Sequence, residues 1–375
     1  MSRTLLTSGY GGTIYTLSFD PTSSSLRTTS TVSCGKAPTW LAVSGQHPIV
    51  YTGDEFSQPD GVLHAFRFDA SGSLDSLSTA KVAEGPVHFC LSSDGKRMFT
   101  ANYASGTLSV VGIKEDGTLD EEGKVETRAF KGTGPKKDRQ EAPHVHGVYL
   151  DPTNRYLFAA DLGADVLRVF DVSSPDKLEQ LPAITMPAGN GPRHLVFTKP
   201  SEKSTRTLLY LIEEIRSNIA VFEVEYPSEK SPDLSLKALQ KEVSILPPDY
   251  TDHQGDWTGA ELAISPNGRY LYASNRCPVD NPAPYDTLAI FELTAAGTLN
   301  TNVSPVQIDL GGRGPRHFAL SPKKDGEREG KYMAVALERT SEVVVYEVDE
   351  DKEDRMTEVA RLKDIDQPTC IQWLP

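Results

Sequence analysis

Cysteine is scarce in this chain of 375 residues: Cys34, Cys90, Cys277 and Cys370 are scattered, with no CxxC spacing and no paired histidines. That pattern excludes a zinc ribbon or finger and a disulfide framework, and it fits thiols in a reducing compartment. Basic residues are also in deficit. The 38 Lys and Arg face 52 Asp and Glu, a net charge of −14, and a chain without a basic field does not bind nucleic acid or an anionic membrane through counterion release. The acidic runs Asp349 to Asp354 and Glu115 to Glu122 read as solvated faces. No apolar stretch is long enough to span a bilayer, and no apolar leader precedes a small-residue cleavage site, since Met1 to Asp20 reads as a β-hairpin around Gly11 and Gly12. A GxSxG nucleophile elbow is missing, and the GTG at Gly132 to Gly134 lacks the rest of a dinucleotide fingerprint. Helix-period segments are few, with one short helix expected within Ser228 to Glu242. These absences predict a soluble, cytoplasmic protein, a monomer or weak oligomer, with no cofactor and no metal.

What is present is an ordinary globular composition, 38% hydrophobic and 24% charged, carrying an internal repeat. A short apolar strand is followed by a turn of the Ser/Asp-Pro-x-Gly/Asn type, a second strand ending in a polar residue, and a third, alternating strand. Clear copies start at His144 (HVHGVYLDPTNRYLFAADLGADVLRVFDV), Arg193, Ala260 (AELAISPNGRYLYASNR) and Arg316, and weaker ones near Trp40 and Val87. A seventh inner strand, TCIQWLP from Thr369, ends the chain, while the N-terminal hairpin has no inner strand of its own. The two fragments complement each other, and a blade shared by both termini removes the sheet edge a linear array would expose. The spacing of about 47 to 67 residues suits four-stranded blades with inserted loops. The expectation is one domain over 1–375, a seven-bladed all-β propeller closed by its N- and C-terminal strands. The long insertions are Lys131 to Ala142, Ser228 to Trp257, Cys277 to Asp286 and Lys323 to Gly330; a loop bordering the mouth could act as a lid.

In an antiparallel blade the start of the first strand and the end of the second share one sheet edge. Aligning the copies puts His146, Arg193 and Arg316 at equivalent first-strand entrances, with His194, Glu261 and His317 one residue on. The second-strand ends offer Asp161, Glu213 or Glu214, Asn275 or Arg276, and Glu338 or Arg339. Charged groups at such positions carry a desolvation cost that function or bracing must offset. For His194 and His317, in the repeated GPRH, bracing between blades is the bland reading; His146, Arg193, Glu214 and Arg276 differ between blades, as a substrate site on a pseudo-symmetric frame requires. His144, Arg316, Glu261, Asp161, His194 and His317 complete the candidate substrate-binding set. Several guanidinium groups in one mouth of an acidic protein point to an anionic small molecule, a sugar acid, sugar phosphate or polycarboxylate.

GPRHLVF, AELAISPNGRYLYASNR, AADLGADVLRVF and GPRHFALSP resemble the propeller lactonase family, of 6-phosphogluconolactonase type and related to the fungal carboxy-cis,cis-muconate lactonizing enzyme. The resemblance covers most of the chain. It implies a site of one His, two Arg and one Glu, which by motif are His146 in HVHG, Arg193 in GPRH, Glu214 in IEEI and Arg276 in ASNR. It implies hydrolysis of an anionic sugar lactone, 6-phosphogluconolactone first, with carboxymuconate cyclisation as the alternative reaction; the propeller fold by itself leaves a noncatalytic interaction scaffold as the alternative class. On the hydrolytic reading His146 or Glu214 is the base, and Arg193 and Arg276 hold the oxyanion or the phosphate.

Overall fold

The computed structural model describes residues 2–174, 177–198, 205–229, 231–253, 256–277, 286–324, 326–352 and 355–375. Seven antiparallel sheets follow one another along the chain. The first is built from Pro368–Trp373, Arg3–Gly9, Thr13–Asp20 and Ser25–Ser33, with the last strand of the chain on its inner side. Blade two runs Pro38–Val43, Ile49–Asp54, Gly61–Phe68 and Leu74–Val82; blade three Pro86–Leu91, Arg97–Asn102, Thr107–Gly112 and Glu126–Ala129. Blade four has Val145–Leu150, Tyr156–Asp161 and Val166–Asp171, edged by the short pieces Glu179–Gln180 and Ile184–Thr185. Blade five is Pro192–Phe197, Leu208–Glu213, Asn218–Glu225 and Ser235–Ser244; blade six Thr258–Ile264, Tyr270–Arg276, Thr287–Glu292 and Val306–Asp309; blade seven Pro315–Leu320, Tyr332–Leu337, Glu342–Val348 and Met356–Lys363. This is a seven-bladed all-β propeller, with the chain termini sharing a blade.

The turn chemistry follows the repeat. In blade four Asp151 accepts hydrogen bonds from the N–H groups of Thr153, Arg155 and Tyr156, and Asn154 takes the left-handed φ of 58° that closes the turn. In blade six Ser265 and Gly268 repeat the arrangement, with Gly268 at φ 70°.

The described residues divide into two compact units: those of 2–129, Asp286 and those of 308–375 form one, and those of 130–277 with 287–307 the other. In the first, Leu5, Phe19, Tyr332, Val345, Ile371 and Trp373 pack the seam of blades one and seven. In the second, Phe158, Val169, Leu195, Leu211 and Phe222 fill the space between blades four and five, and Ile212, Val221, Leu262, Leu271 and Phe291 that between five and six.

The expected helix within Ser228 to Glu242 is not formed. Residues Ser235–Ser244 are the outer strand of blade five, paired from Asn218↔Ser244 to Glu225↔Ser235. Lys, Ala, Leu and Gln favour a helix in isolation, but pairing with the third strand satisfies a backbone edge that would otherwise stay open. Of the insertion Cys277 to Asp286, residues 278–285 lie outside the described set.

One local irregularity recurs in all seven blades. Pairing of the first with the second strand slips at its second position, leaving an extra residue on the inner strand: Thr39, Val87, His146, Arg193, Arg316 and Thr369 in six blades. In blade six Ala260 and Glu261 together occupy the slip between the Gly259↔Asn275 and Leu262↔Ala273 pairs. Such a bulge breaks strict side-chain alternation and re-aims the residue it carries.

The shared blade is closed by Pro368–Trp373, which meets Arg3–Gly9 through strand pairing and side-chain packing alone, so its packing is testable. Ile371 is fully buried in the seam of blades one and seven. Ile371→Ala should cost about 2–5 kcal/mol in equilibrium urea unfolding, whereas Val303→Ala, at a half-exposed site, should stay within about 0.5 kcal/mol. Equal effects would remove the closing strand from the stabilising core.

Candidate active site

The bulges of blades four, five and six belong to the same unit, and their residues meet. His146 and His194 place their rings 5.1 Å apart, edge to face. Arg193 is almost fully buried. Its Nε donates to Glu214 Oε2 at 2.9 Å, and its Nη1 donates to the Ala260 carbonyl and lies 3.3 Å from His194 Nε2. Behind it, His194 Nδ1 sits 2.9 Å from Glu261 Oε2, while Glu261 Oε1 accepts the Leu262 N–H at 3.0 Å. Two glycines permit this approach. A Cβ on Gly147 would meet the Arg193 carbonyl oxygen at 2.6 Å, and one on Gly259 would meet Ile212 at 3.0 Å.

Glu214 is the centre of the cluster. Besides Arg193, Arg276 places Nη2 3.4 Å from Oε2, held by a hydrogen bond to the Gly259 carbonyl at 3.1 Å. Arg139 donates to Oε1 at 2.6 Å. His146 Nε2 stands 3.9 Å from Oε2, close enough for attraction between charges but beyond a hydrogen bond. Burial alone would raise the Glu214 carboxyl; Arg276, Arg139 and Arg193 outweigh it and hold the group far below the usual carboxylate range. Glu214 is therefore held in its ionised form and is a poor proton acceptor. With Glu261 behind His194 counted as well, three guanidinium charges against two carboxylates leave an excess of one positive charge near His146.

The choice between Glu213 and Glu214 is made by the strand ends. Asp54, Asn102, Asp161, Glu213 and Asn275 occupy one equivalent position, pairing with Pro38, Pro86, Val145, Pro192 and Gly259. Their side chains tie down nearby backbone and loops. Asp54 accepts from the Lys36 and Ala37 N–H groups, Asp161 from those of His144 and Ala164, Glu213 from Asn190 Nδ2, and Asn275 donates to Thr287. Glu214 and Arg276 follow this bracing position by one residue, and they reach the bulges.

Of the wider candidate set, His194 and Glu261 join the cluster as support for Arg193. Asp161 has its Oδ2 engaged by Arg168 through two bonds of 2.9 and 2.7 Å, and its other oxygen by the backbone, so both are committed to structure. His144 pairs through Nε2 with Glu141 at 2.9 Å. Arg316 and His317 belong to the other unit. There Arg316 lies over the Tyr10 ring, and His317 packs edge-on against Trp40 and accepts the Ile371 N–H. Arg139 was not among the candidates. Its signal in the sequence is compositional: four cations in a nine-residue stretch, Lys131 to Arg139, of an acidic chain.

Glu213 is held by Asn190, with Glu242 and Asp165 nearby, and this environment makes a pH-dependent prediction. Burial pushes its carboxyl up to about 7, with Glu242 and Asp165 adding to the rise and the Asn190 hydrogen bond partly opposing it. Between its ordinary value of 4.5 and about 7 the folded chain holds this proton and the unfolded chain does not. The group's contribution to stability therefore falls as pH rises through that window. Glu213→Gln imitates the protonated acid. Its stability relative to the unmodified protein should grow between pH 4.5 and pH 7 by an amount on the order of 3 kcal/mol. A difference independent of pH in urea unfolding would refute the raised value.

Comparison with known proteins identifies the family. Residues 4–373 match the family model described as lactonase, 7-bladed beta-propeller. The 6-phosphogluconolactonase of Bacillus subtilis is 27% identical over 90% of this chain and 87% of its own length. The structure of a Bacteroides fragilis protein, 30% identical, superposes with a TM-score of 0.81 over 100% of this chain and 98% of its own. The periplasmic gluconolactonase of Pseudomonas aeruginosa, 26% identical, gives 0.81 over 100% and 99%. The chain belongs to the seven-bladed β-propeller lactonase family.

Proposed function

We propose that this protein hydrolyses 6-phosphogluconolactone, with the ring-opening chemistry at the cluster of His146, Arg193, Glu214 and Arg276. The observation that carries the reading is the arrangement around Glu214: a buried carboxylate gathers three guanidinium groups and stands 3.9 Å from a histidine. The positive excess selects an anion. The gluconolactonase and 6-phosphogluconolactonase names of the relatives supply the reaction class, and the cyclisation alternative has no counterpart among those three proteins.

Opening the ring requires a proton acceptor for water, charge stabilisation on the carbonyl oxygen, and a proton for the departing ring oxygen. His146 is assigned the proton transfers. It takes a proton from the attacking water as the new C–O bond forms, then returns it to the ring oxygen as the old C–O bond breaks. The product is a hydroxy acid, which ionises. Glu214 stabilises the transient imidazolium and locks the guanidinium groups in place, so the cluster needs little reorganisation as the tetrahedral oxyanion develops. Arg193 and Arg276 face that oxyanion with fixed positive charge. The family reaction is intrinsically facile, and a site of fixed charge plus one base is adequate to it. A reducing, cytoplasmic setting is part of this proposal, supported by all four cysteines standing as thiols rather than disulfides. Among the described residues, no helix is long and apolar enough to cross a membrane.

The test is hydrolysis of 6-phosphogluconolactone measured against the spontaneous rate. The unmodified protein should accelerate it. His146→Gln should lower kcat by about 100-fold or more, in the range general acid–base groups contribute, while product binding followed by calorimetry persists. No acceleration by the unmodified protein would reject the substrate, and near-normal turnover by His146→Gln would reject the base.

A further inference from the structure

We propose that the loop Lys131–Ala142 forms the phosphate-recognising pole of the site, with Arg139 the residue that makes this enzyme select phosphorylated over unphosphorylated sugar lactones. The inference rests on the lactonase reading for its substrate class and on independent geometry for its location.

The loop is a built element. At its start, Arg168 Nη2 donates to the Lys131 carbonyl at 3.1 Å. In its middle, the Arg139 and Gln140 N–H groups both donate to the Lys136 carbonyl, closing one helical turn, and the Gly134 N–H donates to the Gln140 carbonyl. Gln140 is fully buried. Its Nε2 donates to the Leu162 carbonyl at 2.8 Å, which fastens the turn to the end of blade four's second strand. At the far end, Glu141 pairs with His144. These anchors fix the backbone on both sides of Arg139 and aim its guanidinium at Glu214.

Solvent access distinguishes Arg139 from the other two arginines on Glu214. Its side chain is 35% exposed, against 2% for Arg193 and 7% for Arg276. A guanidinium carries five donors in a planar fork that matches a phosphate edge. Arg193 and Arg276 are enclosed, whereas Arg139 spans the buried carboxylate and the solvent from which substrate arrives. Lys136 lies one helical turn before Arg139 on the same face, Lys137 is adjacent, and both are exposed. Over residues 131–139, Lys131, Lys136, Lys137 and Arg139 against Asp138 give a net +3 in a chain of −14. A dianionic phosphate is drawn to that local field, and the lactone ring then extends toward Arg193 and His146. An unphosphorylated lactone offers the loop nothing to bind.

The experiment compares kcat/KM for 6-phosphogluconolactone and for glucono-1,5-lactone, in the unmodified protein and in Arg139→Ala, Arg139→Lys and the double variant Lys136→Ala/Lys137→Ala. Binding of 6-phosphogluconate and of gluconate is measured in parallel by calorimetry. Because Arg139 also touches Glu214, the reading is the ratio between the two lactones. Arg139→Ala should lower that ratio by about 10- to 100-fold, the loss expected of one charge-assisted hydrogen-bonded contact. Arg139→Lys should restore part of it, and the double lysine variant should lower it less and lose its effect at high salt. Equal losses on both lactones, or an unchanged ratio, would make Arg139 a brace for Glu214 and overturn the proposal. The binding arm separates the two readings. If the protein accelerates neither lactone yet prefers 6-phosphogluconate to gluconate and loses that preference in Arg139→Ala, the reaction is wrong and the phosphate pole stands. If it shows no preference for 6-phosphogluconate, the pole is rejected whatever the turnover.

Discussion

A single extra residue near the start of each inner strand organises the polar chemistry of this protein. In a regular strand, neighbouring side chains alternate between the two faces, and both faces of a propeller blade are packed against apolar partners. A charged residue within such a strand would be forced into hydrocarbon. The bulge breaks that alternation at one place per blade, so a side chain can leave the packing layer without moving the strand. Three of the seven blades place threonine or valine there, Thr39, Val87 and Thr369. Blades four and five place His146 and Arg193 there, and blade six opens its backbone so that the Ala260 carbonyl can accept from Arg193.

Once those groups are buried, charge must be balanced locally, and Glu214 does so. A carboxylate removed from water is costly unless paired and hydrogen-bonded, and a buried guanidinium equally so. Here the pairing is lopsided. One carboxylate holds three guanidinium groups, which satisfies Glu214 fully and leaves positive potential unspent beside His146. The same interaction explains why Glu214 is fitted to electrostatic and positioning work, and why proton transfer falls to the histidine. It also connects the inserted loop to the blades, because Arg139 completes the coordination of Glu214 from outside the sheet framework.

The blade pattern was readable from particular residues. TCIQWLP lacked partners of its own, the N-terminal hairpin lacked an inner strand, and the Ile371↔Thr7 and Trp373↔Leu5 pairs join them. Equivalence of His146, Arg193 and Arg316 was also legible, since all three are bulge residues. The expected helix within Ser228 to Glu242 gives way to the strand Ser235–Ser244, because its residues favour a helix in isolation and only the partner strand decides otherwise. Asp161 was attractive as a charged residue at a strand end, yet it sits in the column of Asp54, Asn102, Glu213 and Asn275, where polar side chains brace the backbone. Arg139 escaped because a loop has no periodicity from which its direction can be inferred.

The sequence by itself determined the number of blades, the shared first blade, the family, and the chemical types at the candidate site, because each depends on a repeat or a motif local to one stretch of chain. Only the tertiary structure decided which of two adjacent glutamates is the anchor, which arginines share it, that Asp161 is spent on Arg168, and that an insertion supplies a third guanidinium. Those outcomes depend on one-residue slips in pairing and on contacts between segments far apart in the chain. A slip of one residue reverses the face of a side chain while leaving the composition and the repeat unchanged.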